Sequence, residues 1–538
     1  MKKNKSNQKT RSFIKSHLNQ ILLTLYLGTV FNIFIFLLAA DYITLSPLYI
    51  LALITISMII YVLTFFLCGV IIKKLFLIKT PSPFSFPSRQ QKRKTFIIFF
   101  LIAFSISMFW FLAYNPGGFS PDSAVQYNQA ISGEYSDWHP ALHTFLFFTI
   151  PLSIFHNISA IVICQIILFC IVLTYATITI IETADKKWGI ITFLLVILNP
   201  WVLDELMFPW TNVAFGIMIL LITTFCIKIY KTNGAWCQKK TNLIILAIAI
   251  GCATIFRHNG ILYAAPALLA LFFFMTKSDW RKLLIAVFVF VFLIKIPFYS
   301  ILNVTAPGSR TTEITGLPMT ILANVTKETP DALNENALSF MHQIAPQEKY
   351  EAEYIAGDFN SIKFTSNTAP IEEAGIPAII GYTTDAFFKS PKASLVALFK
   401  LTSVVYGIDG NLPIHNTPHI NANINDQQIT YHGNTFLRSA IDLYRAIFRN
   451  SFLKYFGFIG ITILLIITFV LSKNEWQYGG WKKILLCSPI LFFDFGTMLL
   501  LTGPEPRFFF ANFIAYPSII VLSIINQKGI KNVRKKLN

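Results

Sequence analysis

A short polar segment between apolar stretches carries residue types that suit acid–base chemistry. The segment 117–140 contains the carboxylates of Asp122 and Asp137, followed by Trp138 and His139. A carboxylate can accept the proton of a hydroxyl nucleophile, and an indole ring offers a flat face to a sugar ring. Ionisable groups beside a membrane-compatible stretch are costly to desolvate, so their clustering predicts a functional site.

Further acidic, cationic and imidazole groups stand where other apolar stretches end. We predict that one cavity collects them, because cations stabilise a departing phosphate and carboxylates serve as bases. The predicted catalytic residues are Asp122, Asp137, His139 and Asp204. The predicted substrate-binding residues are Trp138, Glu205, Arg257, His258, Arg310, Glu505 and Arg507.

The composition predicts that membrane helices position these residues. Hydrophobic residues make up 54% of the 538-residue chain, charged residues 13%, and the mean hydropathy is +0.59. The apolar runs are continuous rather than alternating, which indicates helices and not a barrel. The fold class is therefore all-α polytopic, with about twelve spans (11 to 13). The predicted spans are 21–40, 48–72, 96–114, 158–181, 188–203, 210–230, 243–256, 260–275, 283–302, 453–472, 484–502 and 508–526.

The net charge of +18 is explained by the positive-inside rule, so nucleic-acid binding is not expected. The apolar stretch Pro140–Phe155 is short and contains Pro151. If it crossed the membrane, Lys186-Lys187 and the later basic loops would face outward. We therefore predict a juxtamembrane helix there, both termini in the cytoplasm, and the candidate site on the extracellular face of the cell membrane.

The predicted organisation has five parts. They are a basic cytoplasmic N-terminus (1–20), a membrane module (21–302) with a catalytic outer loop (115–157), a mixed extracellular domain (303–452), C-terminal spans (453–526) and a cytoplasmic tail (527–538). Within the extracellular domain, Ser390-Pro391 predicts a helix to about Tyr406. The amphipathic pattern of Phe436–Asn450 predicts an interfacial helix whose arginines, among them Arg445, meet lipid phosphates.

Several motifs together resemble the GT-C superfamily, the polytopic glycosyltransferases that use polyprenyl-phosphate sugars. They are Asp122 in the first large outer loop, Asp137-Trp138-His139-Pro140 before the juxtamembrane helix, Asn199-Pro200 with Asp204, and Glu505-Pro506-Arg507 before the last span. More narrowly, Ser-Pro-Asp-Ser, Asp-Trp-His-Pro and Arg-His-Asn-Gly resemble a group of bacterial membrane proteins related to this superfamily, with protein mannosyltransferases as comparable enzymes.

The resemblance implies a polyprenyl-phosphate sugar donor and a glycan, lipid or protein acceptor at the outer membrane face. It also implies that Asp122 is the general base, that Arg257 and Arg507 steady the phosphate, and that Asp137 or Asp204 orients sugar or acceptor. Two features depart from the superfamily pattern. Two extra spans precede the catalytic loop, and Asp122 has no acidic neighbour, which leaves a divalent metal as an open question.

Alternatives remain at the level of single residues and of the whole protein. Asp122 can instead cap a helix over Ser123–Ile131, Arg257 and His258 can reach lipid head groups, and Asp494 suits a hydrogen-bonding role inside a span. A lipid-linked glycan ligase or polymerase would act at the same face. A transporter or flippase would place ionisable groups near the bilayer midplane and often shows repeats, and the sequence has neither pattern.

Overall fold

The structure, a computed structural model, describes residues 2–40, 46–75, 81–308, 310–406, 418–420, 423–424, 427–428, 432–450 and 481–525. In these ranges the chain is built almost wholly from helices. The short strands β1 (Asn423–Ile424) and β2 (Gln427–Gln428) pair antiparallel, with Asn423 opposite Gln428. The predicted class, an all-α polytopic membrane protein, is confirmed.

The helices fall into three groups along the chain. The first group is α1 Lys2–Ala39, α2 Pro47–Leu75, α3 Arg89–Ala113, α4 Pro121–Ser132, α5 Ala141–Thr144, a π-helical turn Phe145–Thr149 and α6 Ile150–Phe155. The second is α7 Ser159–Thr183, α8 Lys186–Ile197, α9 Pro200–Leu206, α10 Thr211–Thr232, a 3-10 turn Ala235–Gln238, α11 Lys240–Phe256, α12 Ile261–Phe272, α13 Lys277–Leu293, a π-helical turn Ile294–Phe298 and α14 Tyr299–Ile301. The third is α15 Thr311–Ile314, α16 Gly316–Glu328, a 3-10 turn Pro330–Ala332, α17 Glu335–Ile344, α18 Gln347–Glu353, α19 Asn360–Lys363, α20 Ala369–Lys389, α21 Pro391–Tyr406, α22 Thr435–Asn450, α23 Trp481–Cys487, α24 Pro489–Met498, a 3-10 turn Pro506–Phe509 and α25 Phe510–Ile524.

The described residues contain 7 helices long and apolar enough to cross a membrane, or up to 8 if the bent pair α8 and α9 forms one span. The predicted spans 243–256, 260–275 and 484–502 correspond to shorter apolar helices, namely α11, α12 and the pair α23 and α24. The predicted span 453–472 lies outside the described residues. The membrane class therefore stands, whereas the number twelve stays a prediction.

Helix α10 lies at the centre of the membrane module, with 89% of its apolar window buried. It packs against α7, α11 and α25. Gly216 of α10 permits the approach of α25, since a Cβ there would stand 2.7 Å from the Phe510 ring. Helix α2 is peripheral, with 6% of its window buried, and its exposed apolar side chains suit contact with lipid tails.

The segment 311–406 forms a helical lobe with its own core. Met319, Leu322, Tyr350 and Phe359 are all fully buried in it. The sequence predicts a mixed domain here, but the described part of the lobe is helical. The predicted helix after Ser390-Pro391 is confirmed as α21, Pro391–Tyr406.

The amphipathic helix α22 lies against the membrane module rather than only on a lipid surface. Ile441 and Phe448 are buried in the main hydrophobic core. The Arg445 side chain is 6% exposed and forms an ion pair with Asp204. The prediction that Arg445 meets lipid phosphates is therefore wrong, because a buried carboxylate is its partner.

Candidate functional site

Asp122 is held at the first turn of α4. Ser120 is the N-cap, its Oγ accepting from the backbone N of Ser123, and Pro121 opens the helix. The indole Nε1 of Trp210 donates to the same Oγ over 2.8 Å. One alternative from the sequence is that Asp122 caps this helix. The structure contradicts that alternative, because Ser120 is the N-cap. Asp122 sits one residue into the first turn, where the helix dipole favours a carboxylate.

Arg507 joins two carboxylates that are far apart in the sequence. Its Nη1 donates to Oδ2 of Asp122 over 2.9 Å, and its Nε donates to Oε2 of Glu505. Its guanidinium carbon lies 4.8 Å from the ring centroid of Trp210. Arg507 therefore forms ion pairs with both Glu505 and Asp122.

His139 approaches the same carboxylate, its Nε2 lying 3.9 Å from Oδ1 of Asp122. Burial raises the pKa of Asp122, but Arg507 and His139 more than offset burial and leave that pKa below its usual value. Burial lowers the pKa of His139 against the opposing effect of Asp122. At neutral pH this arrangement therefore has an ionised Asp122 beside a neutral imidazole.

Arg257 is held by neutral groups in the described residues. Its Nε donates to Oδ1 of Asn259 over 2.9 Å, and its Nη1 donates to Oδ1 of Asn212. The guanidinium carbons of Arg257 and Arg507 lie 4.9 Å and 5.1 Å from the ring centroid of Phe508. Burial, followed by the charge of Arg507, lowers the pKa of Arg257. An anion between the two guanidinium groups would relieve this electrostatic cost.

Arg310 also has polar partners that carry no negative charge. It donates to the backbone oxygen of Asp137 and lies 3.0 Å from Nε2 of His258. Burial and the charge of Arg310 lower the pKa of His258 to about 4, so this imidazole is neutral, and its Nε2 also lies 3.1 Å from the backbone oxygen of Trp138. The Trp138 ring, 40% exposed, lies 6.0 Å from the Arg310 guanidinium.

These groups line one cavity of about 650 Å³ between the ends of the membrane helices and the 311–406 lobe. The predicted residues that line it are Asp122, Trp138, His139, Arg257, His258, Arg310, Glu505 and Arg507. Its cations are Arg257, Arg310, Arg507 and Lys363, and its acids are Asp122, Glu313 and Glu505. The cavity therefore has a small excess of positive charge, which suits an anionic ligand.

Asp137 does not line the cavity. Its carboxylate accepts from Lys295 over 2.9 Å and from the Tyr299 hydroxyl over 2.9 Å. The same hydroxyl accepts from the backbone N of Ala141 over 3.2 Å. Asp137 therefore ties the loop to the end of the α13–α14 segment, while its backbone oxygen orients Arg310.

Asp204 and Glu205 lie in α9, outside the cavity lining, and both are buried. Asp204 accepts from Trp110 Nε1 over 2.9 Å and from Arg445 Nε over 2.9 Å. Arg445 also donates to the Tyr114 hydroxyl over 2.6 Å. The cluster joins α3, α9 and α22.

The cavity includes side chains that the sequence did not single out. Gln126 follows Asp122 by one helical turn, a spacing that would have indicated a shared face. Asn360 donates to Oε1 of Glu505 over 2.8 Å. Lys363 donates to Glu313 over 2.8 Å. Asn360 and Lys363 belong to α19 of the lobe, and no local sequence motif predicts that they reach the cavity.

The carboxylates of the cavity do not fit a divalent metal. In the described parts of the chain, no three His, Cys, Asp or Glu side chains are grouped to hold one. Asp122 and Glu505 pair with Arg507, and Glu313 pairs with Lys363. A metal would have to compete with these cations for each oxygen, so no step proposed below passes through a metal.

No protein-family model and no curated protein matches the chain. Three solved structures do. The archaeal oligosaccharyltransferase AglB from Archaeoglobus fulgidus, in complex with an inhibitory peptide and a dolichol-phosphate, is 15% identical with a TM-score of 0.39 over 84% of this chain and 51% of that chain. The apo form of the Archaeoglobus fulgidus oligosaccharyltransferase is 13% identical, with the same TM-score of 0.39 and the same coverage of 84% and 51%. ArnT from Cupriavidus metallidurans, bound to undecaprenyl phosphate, is 11% identical with a TM-score of 0.31 over 79% of this chain and 77% of that chain.

Two of these structures are oligosaccharyltransferases, and the third is ArnT bound to undecaprenyl phosphate. The chain spans about half the length of the two oligosaccharyltransferases that it matches. At TM-scores of 0.31 to 0.39 the likeness carries no argument about substrate or mechanism.

Proposed function

We propose that the protein is a membrane glycosyltransferase that moves a sugar from a polyprenyl-phosphate donor to an acceptor hydroxyl. The acceptor would belong to a cell-envelope glycan or lipid. The observation that carries this proposal is the ion pair of Asp122 with Arg507, in the cavity where the hydrogen-bond partners of Arg257 among the described residues are neutral. An ionised carboxylate thus lies close to cationic groups that can bind a phosphate.

The cavity walls suit an amphipathic donor. Ile261 and Leu500 line it and are 51% and 37% exposed. Ile261 begins α12 and Leu500 follows the end of α24, so an isoprenyl chain can lie there without losing lipid contact. Trp138 supplies an exposed aromatic face at the polar end, where a sugar can stack. This arrangement supports a donor that is lipid at one end and sugar phosphate at the other.

The proposed reaction is a single displacement. The acceptor hydroxyl attacks the anomeric carbon, its proton passes to Asp122, and the bond to the phosphate oxygen breaks. Arg257 and Arg507 stabilise the negative charge that collects on the departing polyprenyl phosphate. His139 stands beside the carboxylate, 3.9 Å away, and Asp137 and Asp204 act as positioning residues. We also propose that the cavity faces outward, because the predicted inner loops carry most of the basic residues.

The test is transfer of a radiolabelled hexose from undecaprenyl phosphate to membrane acceptors. Asp122→Asn keeps the size of the side chain and removes the base, so we expect the label in product to fall to background. Asp331→Asn, at an exposed position in the lobe, is the control and should transfer as the wild type does. Full transfer by a folded Asp122→Asn protein would refute the assignment of the base.

The donor range separates the proposal from its main alternative. A glycan ligase or polymerase would ignore a monosaccharide donor and transfer a preassembled oligosaccharide. If only lipid-linked oligosaccharides yield product, the ligase function replaces the transferase function. If purified wild-type protein moves label from neither donor, both enzymatic proposals fail.

A further inference from the structure

Gln126 lies on the cavity wall with its amide orientation determined by buried neighbours. Its side chain is 1% exposed and is part of the cavity lining. The ring Nδ1 of His143 lies 2.7 Å from Oε1 of Gln126, and the hydroxyl of Thr144 donates to the same oxygen over 3.3 Å. Both residues are fully buried. The amide oxygen therefore points away from any ligand in the cavity.

The amide nitrogen of Gln126 is the group left to face a ligand. Nε2 carries two hydrogens, and among the described residues it donates to the backbone oxygen of Asp122, 3.3 Å away. The ring of His143 stacks on Phe147, with centroids 4.8 Å apart, and its Nε2 is buried without a partner in the described structure. With Nδ1 donating to Gln126, the neutral imidazole holds the amide in one orientation.

Gln126 and Asp122 stand one helical turn apart in α4. Side chains with this spacing share a face, with Cβ atoms about 6 Å apart. A ligand whose hydroxyl meets Asp122 therefore places its neighbouring atoms within reach of Gln126. Two oxygens on one sugar unit span such a separation, whereas a simple alcohol has no second oxygen. An uncharged N–H donor suits a hydroxyl or ring oxygen, while the arginines of the cavity suit the phosphate.

We infer that Gln126 is an acceptor-binding residue that selects a sugar unit over a simple alcohol, with His143 and Thr144 as positioning residues. The role of the bound sugar as acceptor rests on the proposed function. In this complex Nε2 donates to a second oxygen of the acceptor while the reacting hydroxyl meets Asp122. Loss of one such hydrogen bond weakens binding by about 3- to 10-fold.

The test is equilibrium binding of radiolabelled hexyl β-glucoside and of 1-hexanol to the purified full-length protein. Gln126→Glu retains an oxygen for His143 and Thr144 but replaces the donor with a second acceptor. Gln129→Glu is the matched control. It adds the same charge to the same helix at a buried glutamine that lies outside the cavity lining and donates to Ser136 over 2.9 Å.

We expect the wild type and Gln129→Glu to prefer the glucoside, and Gln126→Glu to lose that preference by about 3- to 10-fold. Affinity for 1-hexanol should not change. If Gln126→Glu does not fold, Gln126→Asn withdraws the amide from the cavity and should give the same loss. Equal glucoside affinity of the Gln126 and Gln129 variants, or no preference in the wild type, overturns the inference.

The transfer assay separates this inference from the proposed function. Binding that depends on Gln126, together with no transfer by the wild type, would retain the sugar subsite and refute the transferase. Transfer by the wild type with glucoside binding that ignores Gln126 would retain the transferase and refute the subsite.

Discussion

Arg507 donates to Asp122 over 2.9 Å across a separation of 385 residues. Arg507 lies near the start of the last described helical segment, and Asp122 lies in the first turn of α4. The contact places a cation against the candidate base and completes the cavity. Because Glu505 shares the same guanidinium, Arg507 pairs with two acids at once, and its loss should affect both.

We expect Arg507→Lys to lower the transfer rate by about 100-fold or more, the scale seen when one charge-stabilising donor is lost at an active site. A lysine keeps the charge, but it lacks the planar guanidinium whose N–H groups donate to both Asp122 and Glu505. The measurement is initial rate of label transfer at saturating donor. Arg449→Lys, at an exposed position of α22, is the control. A rate within a few-fold of the wild type would argue against a role for the two hydrogen bonds that the Arg507 guanidinium donates.

Arg257→Gln should weaken donor binding by about 10- to 100-fold, the loss expected for a hydrogen bond to a charged group. The reason is that Arg257, within the described residues, donates to the neutral side chains of Asn212 and Asn259 and lies beside Arg507 at the Phe508 ring. The measurement is retention of radiolabelled undecaprenyl phosphate by the purified protein. Arg281→Gln, at an exposed position at the start of α13, should retain the lipid as the wild type does. Equal retention by both variants would remove Arg257 from the phosphate site.

Breaking the buried pair of Asp204 and Arg445 should destabilise the fold by about 3–5 kcal/mol, since one charge remains buried without its partner. We expect Arg445→Met to lower the thermal unfolding midpoint in detergent. Replacing both residues, with Asp204→Leu and Arg445→Met together, should recover much of the loss. Asp442→Asn changes the exposed partner of Arg445 and should have a small effect. An Asp204→Asn protein of normal stability that has lost transfer would instead support a catalytic Asp204.

The transfer rate should not change between about pH 8 and 6.5, the ordinary pKa of histidine. A histidine of ordinary pKa in the active site would make the rate change near that pH. The pKa of His139 is lowered by burial, so this imidazole gains its proton only below 6.5. The pKa of Asp122 lies below its usual 3.8, so the base stays ionised throughout this range. The measurement is the pH profile of kcat/KM.

The sign of the linked stability effect follows from the same shifts. Because both groups bind protons more weakly in the folded state, their contribution to stability is present at neutral pH. It diminishes as pH falls through 6.5 for His139 and below 3.8 for Asp122. If kcat/KM falls on the acid side with a midpoint at or above pH 6.5, the assignment of a neutral His139 is contradicted.

The local patterns predicted the elements that surround the cavity well. Continuous apolar runs predicted the long helices, and Ser390-Pro391 predicted the start of α21. The expectation that Asp494 has a hydrogen-bonding role is confirmed, since Asn512 donates to it over 2.9 Å. These features depend on neighbours in the sequence or on the solvent that a segment must face, and both leave a pattern in the residues.

The pairing of distant groups was only partly predictable. The sequence predicted that Arg445 meets lipid phosphates and that Asp204 is catalytic, whereas the structure buries the two side chains against one another. Lys363 and Asn360 join the cavity from the lobe without any motif, and the Asp122 carboxylate takes its cation from the far end of the chain. Such pairs depend on which helices pack together, and packing is set by the shapes of many side chains at once.

The sequence by itself determined the solvent in which this protein folds, the helical form of its spans and the residue types of the candidate site. Backbone groups in lipid must pair within their own helix, so apolar run length suffices for those conclusions. The tertiary structure decided which of the predicted groups share the cavity, leaving Asp137, Asp204 and Glu205 outside it. It also decided the amide orientation of Gln126. Those outcomes depend on contacts between segments hundreds of residues apart, which local spacing does not encode.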